Sequence, residues 1–507
     1  LLYGLMVLRT CFIFDGKVWF TLVDDAMISM RYSEHLADGY GLVWNKGEAP
    51  VEGYSNTLWT LLMTVAHLLP LGKNLVPLII ILCSMTLLLA NLIYIDKTLV
   101  LLGVNEKLRF LAVLLSGLNF PVLFWSLRGL ETGAEIFLIT AAAYYTLRFS
   151  KARDVKSCMA ISCFLVLLFL IRVDAIKELP VFFLWFAWIF ISGRISARKA
   201  AIRIFVLVFP LLAVITAFYI LRYLYFGDTL PNTYYLKVSG TSLPEKIFRG
   251  FTVLLFHNSD DTAIYLATLP ALYFVRKQLP GSWPFYFLFF MVQIAYSVYV
   301  GGDYVDEQIY GGNRFVTVGS QYLVILFILL VSRVLRSVRQ PVKYSMVAMA
   351  AMVIVVVQYK EAYGLYFQKN FPLLRSDITR MKIGLLLKEH AGEEVILGVH
   401  AAGNIPYYSE ARCIDLLGKS DKHIALTMPK TTFRPGHNKW DYHYSILGRR
   451  PDIIADDWGE MAAFMDESGA PYARFGKVMW VRKDFLEKWR NRETIEAILM
   501  RERFVPD

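Results

Sequence analysis

Cysteine is scarce in this chain, with five in 507 residues. Cys11, Cys83, Cys158 and Cys163 lie in or beside apolar runs, and only Cys413 falls in a polar stretch. A disulfide framework is therefore excluded as the source of its stability. Charge is also sparse, at 19% of residues against about a quarter in ordinary soluble domains. Internal repeats are absent, and no cleavable signal peptide is expected. His437, Asp441 and His443 have neither the spacing of a zinc site nor that of a catalytic triad. What fills the chain instead is apolar: 56% of residues are hydrophobic and the mean hydropathy is +0.46. Those values exclude an ordinary soluble protein.

Apolar runs close to the length a bilayer core requires recur through residues 1–358. They predict eleven membrane spans, at 1–14, 75–95, 109–125, 131–148, 158–173, 178–193, 202–222, 261–276, 283–300, 317–334 and 344–358. Residues 359–507 are more polar and read as one soluble α/β domain. Within it, 394–399 and 452–455 are expected strands and the segment from Trp489 an expected terminal helix. The fold class expected is thus a multi-pass α-helical membrane protein with a C-terminal soluble α/β domain. The stretch 56–72 is either a twelfth span or an interfacial helix, and charge favours the second. With 56–72 out of the count, the loops at 96–109, 148–157, 193–203, 276–282 and 333–343 share one side. They carry seventeen Lys/Arg and three Asp/Glu, which places that side in the cytoplasm. The net charge of +11 then reports orientation rather than nucleic-acid binding. All the unusual polar motifs, and the C-terminal domain, fall on the extracytoplasmic side.

The most informative of those motifs is the doublet Asp24–Asp25, directly after the first apolar segment. Two adjacent carboxylates at a membrane edge raise each other's pKa, so one tends to accept a proton or to partner a cation. The residues after it alternate so as to predict a short amphipathic helix on the membrane surface, with one Asp near its N-terminus as a cap. Next come GLVWNKG (41–47) and VEGYSNTLW (51–59), where Trp44, Tyr54 and Trp59 suit either sugar stacking or the interfacial aromatic belt. Glu52 is harder to explain as a purely structural acid.

The blocks DDAMISMRY (24–32), GLVWNKG and VEGYSNTLW resemble the first extracytoplasmic loop of GT-C-fold glycosyltransferases. Within that group they are most similar to the bacterial and mycobacterial terminal arabinofuranosyltransferases. RGLETG (128–133), LPNTYYLK (230–237), GGDY (301–304), IDLLGKSDKHIA (414–425) and PGHNKWDYHYS (435–445) resemble family motifs at comparable places. RVDAIKE (172–178) departs from the family pattern. The stretch between GGDY and Arg314 is also longer than in relatives.

The resemblance implies a polyprenyl-phosphate sugar donor, an extracytoplasmic glycan or protein acceptor, a bacterial inner-membrane location and a catalytic carboxylate at Asp24 or Asp25. The acid could serve as general base, or as nucleophile if configuration is retained. Expected substrate contacts are Arg31, Tyr32, Trp44, Asn45, Glu52, Tyr54, Glu131, Asn232, Tyr235, Lys237, Asp303, Arg314 and His437. For the leaving phosphate, Lys237 and Arg314 lead Arg128 and Arg172, whose neighbours Glu131 and Asp174 offer them simple ion pairs. No cofactor is certain. A divalent cation (Mg, Ca or Mn) is a candidate if Asp303, Asp306 and Glu307 join the doublet. On the same scaffold, a mannosyl-type transferase or an oligosaccharide ligase is the alternative. A lipid-linked sugar flippase is the non-enzymatic one, though no repeat and no mid-span charge favours it.

Overall fold

The computed structural model describes residues 2–192, 196–256, 268–303, 312–335, 372–392 and 394–501, with 349 and 352 besides. The chain divides into two compact units. A helical unit takes Leu1–Tyr3, Ile81–Arg222 and Ser242–Phe367. A mixed unit takes Gly4–Ile80, Tyr223–Thr241 and Gln368–Asp507. This differs from the expected division at residue 358, because the first loop folds into one core with the C-terminal segment.

Among the described residues, three helices are long and apolar enough to cross a membrane: Val76–Leu101, Val173–Ser192 and Ala197–Phe226. Glu106–Gly117 and Phe120–Leu127 form a fourth candidate, bent by 47°. Asn119 opens the second half of that pair by accepting from the Val122 amide, so the bend has a capped helix start at its centre. The expected spans at 75–95, 178–193, 202–222 and 109–125 fall on these four. Those at 158–173, 283–300 and 317–334 fall on the shorter apolar helices Val155–Ile171, Trp283–Tyr299 and Ser320–Val334. The span at 131–148 falls on the helix Thr132–Ala152. The span at 344–358 lies almost wholly outside the described residues, as do 261–267 of the span at 261–276, whose remainder falls on the helix Thr268–Val275.

The expected span at 1–14 does not form. A helix ends at Arg9, and strand β1 (Cys11–Phe14) pairs antiparallel with β2 (Lys17–Phe20). Asp15 and Gly16 between them sit at φ 48° and 68°, the two positive values that a type I′ hairpin turn requires. Asp-Gly between the apolar CFIF and the largely apolar KVWF is a hairpin signal that hydropathy alone conceals. The helix Thr57–His67 has 11 residues and so a length of roughly 16 Å, too short for a span.

The mixed unit is built on a five-stranded sheet of order β4-β3-β5-β7-β6. Its strands are β3 (Ile396–Val399), β4 (Arg412–Asp415), β5 (Ile453–Ile454), β6 (Tyr472–Phe475) and β7 (Met479–Arg482). β3 runs parallel to both β4 and β5, and the β5–β7 and β7–β6 pairs are antiparallel. Ile28, Tyr32, Trp44 and Tyr54 from the first loop share one hydrophobic core with Leu397, Val399, Cys413, Ile453 and Val481. The helix Asp24–Ala37 is therefore not a surface helix. Every residue from Ala26 to Ser33 is buried, and so is His35. It packs on the helices Thr57–His67 and Asn404–Ser409.

Candidate active site

The doublet opens its helix at its first two positions, behind an extended Val23, and neither carboxylate caps that helix. Asp24 reaches across the unit instead. Its oxygens accept from the backbone amides of Asn404 (2.7 Å) and Gly403 (3.2 Å) and from the Asn404 side chain (3.4 Å). It thus supplies the start of the helix Asn404–Ser409 with an acceptor that this helix's own cap residue, Gly403, lacks. The fit is close: a Cβ on Gly403 would lie 1.9 Å from the Asp24 carbonyl oxygen. Burial raises the Asp24 pKa, against the pull of Arg380, Lys419 and the Asn404 amide.

Asp25 is placed differently. Its carboxylate lies 2.5 Å from Lys419 Nζ, and its side chain is 36% exposed where that of Lys419 is 12% exposed. Burial works against the Lys419 ammonium, but Asp25 and then Asp24 outweigh it, and the lysine pKa is raised. The two acids therefore share one cation, and their settings separate: Asp24 is bound to backbone and Asp25 is partly exposed.

A tight loop carries Lys419. Asp415 Oδ1 accepts from the Leu417 and Gly418 amides (2.9 and 3.0 Å) and its Oδ2 from the Ser420 amide (2.6 Å). Burial pushes the Asp415 pKa up to about 6, although those amides favour its charged form. Gly418 turns the chain at φ 81°. The loop sits against Gly53, where a Cβ would meet Ser420 Oγ at 2.5 Å and the Lys419 carbonyl at 2.9 Å. Asn232 closes the arrangement. Its amide donates to the Glu52 carbonyl (3.0 Å) and its side chain to the Gly418 carbonyl (3.3 Å). Four blocks distant in sequence, at 24–25, 51–54, 231–232 and 415–420, are thus brought together.

Several expected substrate contacts are placed as struts. Arg31, 2% exposed, donates to the carbonyls of Trp44 (2.5 Å), Ala411 (2.8 Å) and Pro406 and to Asn45 Oδ1 (2.9 Å). Asn45 lines the edge of β4 in place of a strand. Its Oδ1 accepts from the Cys413 amide (3.0 Å) and its Nδ2 donates to the Cys413 carbonyl (2.8 Å). Trp44 Nε1 donates to the Ala402 carbonyl at 3.3 Å. Tyr32 donates to the Val51 carbonyl at 2.6 Å and packs edge-on against Tyr54. These groups give the buried loop backbone its hydrogen-bond partners. Glu52 and Asn232 are buried as well. Tyr235 donates to Asp228 Oδ1 at 3.0 Å, Lys237 is half-buried, and His437 bonds its own loop at the Pro435 carbonyl.

The helical unit gathers another set. Arg172 pairs with Asp174 through Nε and Nη2 (2.8 and 2.7 Å) and with Glu131 through Nη1 (2.9 Å). Lys177 lies 3.5 Å from Glu135 and 3.6 Å from Glu178, and Tyr296 donates to Asp174 at 2.6 Å. The expected local pair of Arg172 with Asp174 is present. Glu131 pairs with Arg172, while Arg128 lies over the Phe124 ring at 4.9 Å. Arg314 holds the buried Asp303 through Nε and its amide, both at 3.1 Å. Asp306 and Glu307 lie outside the described residues. Among the described residues no group of three or more His, Cys, Asp or Glu is placed to hold a metal. At the doublet the cation that both carboxylates face is the Lys419 ammonium.

The chain shares its fold with ArnT from Cupriavidus metallidurans. The apo structure of that protein superposes with a TM-score of 0.50 at 11% identity, over 81% of this chain and 83% of that one. A second structure of it, bound to undecaprenyl phosphate, gives 0.49 at 12% identity, over 81% and 84%. At these identities the likeness is one of fold alone. Residues 370–497 match a domain of unknown function, DUF8728. No curated protein matches the chain.

Sequence reasoning missed Lys419, Asp415 and the Gly403–Asn404 turn. Lys419 had a signal, since it stands in a Gly-Lys-Ser turn between Asp415 and Asp421. The Asp24 partners, 379 and 380 residues away in sequence, had none.

Proposed function

We propose that this chain is a membrane glycosyltransferase that moves a sugar, D-arabinofuranose, from a polyprenyl-phosphate donor to a glycan or protein acceptor on the extracytoplasmic face of the bacterial inner membrane. The observation that carries this is the partly exposed Asp25 carboxylate on Lys419, in a knot of the motif blocks that resemble the arabinofuranosyltransferases. The shared GT-C fold and the basic loops assigned to the cytoplasm support it.

In this reading Asp25 is the general base. It lies against the Lys419 ammonium, and it takes the proton of the acceptor hydroxyl as that oxygen bonds to the anomeric carbon. The bond from that carbon to the donor phosphate breaks, and polyprenyl phosphate leaves. Asp24 is a positioning residue, since its oxygens face backbone amides.

A purified-enzyme assay against a panel of polyprenyl-phosphate sugars tests the proposal. Turnover with the arabinofuranose donor, and little with mannose or glucose donors, is the expected result. Turnover with none of them, or with a long pyrophosphate-linked glycan alone, would overturn it.

A further inference from the structure

Parallel strands that diverge from a common neighbour leave a crevice at their carboxyl ends, and ligands of open α/β sheets bind there. In the mixed unit the chain passes from β3 to β4 on one flank and later to β5 on the other. His400 follows β3, and Asp456 and Asp457 closely follow β5. These loops meet. Asp456 accepts from the His400 amide through Oδ1 and from the Ala401 amide through Oδ2, both at 2.8 Å. His400 Nε2 and the Tyr442 hydroxyl are 3.0 Å apart.

Aromatic rings gather at the same place. Trp458 has its ring centre 5.8 Å from His400, 6.2 Å from Trp440 and 6.3 Å from His437. His400, Trp440 and Tyr442 are buried, while Trp458 and His437 are partly open. The Asn438 amide, next to His437 in the chain, is 1% exposed. Neither its oxygen nor its nitrogen has a hydrogen-bond partner among the described residues, a condition native structures seldom leave without a ligand or water. The surrounding charge is acidic, from Asp456, Asp457 and Glu460. The neighbouring cations are engaged: Arg474 holds Asp457 at 3.0 Å, and the buried Lys439 donates to the Ala425 and Tyr235 carbonyls.

We infer that this crevice is a subsite for a neutral sugar ring of the acceptor, stacked on Trp458 with its hydroxyls bonded by Asp457 and His437. An indole face beside carboxylates suits a ring that is apolar on one face and rich in hydroxyl donors at its edge. The same carboxylates repel phosphate, so the ligand is not the donor's head group or a nucleotide. The inference deepens the glycosyl-transfer reading and rests on it for the word acceptor.

The test is direct binding to the full chain in detergent, with no donor present. Calorimetric titration with a neutral arabinofuranosyl tetrasaccharide and with mannotetraose should show binding of at least one, undisturbed by added inorganic phosphate. Trp458→Ala should weaken it about ten-fold or more, and Trp458→Phe, which keeps a stacking face, by about three-fold or less. Asp457→Asn provides a second reading if the alanine variant melts early. No binding of either neutral probe, competition by phosphate, or wild-type affinity in both Trp458→Ala and Asp457→Asn would overturn the subsite. Because no turnover is needed, Trp458-dependent binding without transfer would sink the proposed function and keep the subsite. Transfer with unchanged sugar binding in the variants would do the reverse.

Discussion

Gly403→Ala tests the contact that separates the two acids. The added Cβ would stand 1.9 Å from the Asp24 carbonyl oxygen, 2.8 Å from its carbon and 3.0 Å from Met27 Cβ. Carbon–oxygen contacts settle near 3.3 Å or beyond, so the turn at 403 and the start of the doublet helix must separate by roughly 1.4 Å. A shift of that size takes the 2.7 Å bond from the Asn404 amide to Asp24 out of range. Overpacking of this kind costs about 1–3 kcal/mol, and a lost hydrogen bond to a charged group about 1.5–3 kcal/mol. Partial relaxation reduces the sum, leaving an expected loss on the order of 3 kcal/mol. The assay is thermal unfolding in detergent at a fixed scan rate, beside transfer activity. Gly281→Ala is the control, because its Cβ would meet nothing within 4 Å. The expected result is a clearly lower melting temperature for Gly403→Ala alone, with transfer reduced in step. A Gly403→Ala protein that melts with wild type would refute the placement of Asp24 on this turn.

Three further outcomes follow from named contacts. Arg172→Met removes the ion pairs to the buried Glu131 and the partly buried Asp174 and should cost about 3–5 kcal/mol, read as lost thermal stability or lost folded yield in detergent. Asn45→Ala exposes the Cys413 amide and carbonyl that its side chain satisfies and should cost about 2–3 kcal/mol in the same melt. Burial lowers the His35 pKa from 6.5 to about 4. The unfolded chain therefore takes the proton first as pH falls, so stability is level above about 6.5 and drops through the window down to about 4, by up to about 3 kcal/mol. His35→Gln should flatten that part of a melting-temperature profile, and an unchanged slope would count against the buried neutral ring.

Much of the helical unit was legible, because long apolar runs announce helices whatever they pack against. The strands Ile396–Val399 and Ile453–Ile454 were legible too, as short apolar runs within a polar segment. The first fourteen residues misled because hydropathy weighs composition, while Asp15-Gly16 acts through backbone geometry. The doublet helix misled in another way. Its polar residues Ser29, Arg31 and Ser33 suggest a wet face, but they are buried with partners inside the unit. The division into units was not legible either, since it depends on contacts such as Asp24 with Asn404 that no local pattern encodes. What the sequence did carry was the set of blocks that converge on the doublet. The cation at their centre, Lys419, lay within one of those blocks, but its role depends on contacts with Asp25 that no local pattern encodes.

The most direct test of the account is the transfer rate of Asp25→Asn with an arabinofuranosyl polyprenyl-phosphate donor, measured on protein whose melting temperature matches wild type. A neutral amide at this position cannot take the acceptor proton, so the rate should fall by about two to four orders of magnitude, with donor binding kept. A folded Asp25→Asn enzyme that transfers the sugar at the wild-type rate would contradict the assignment of Asp25 as the base.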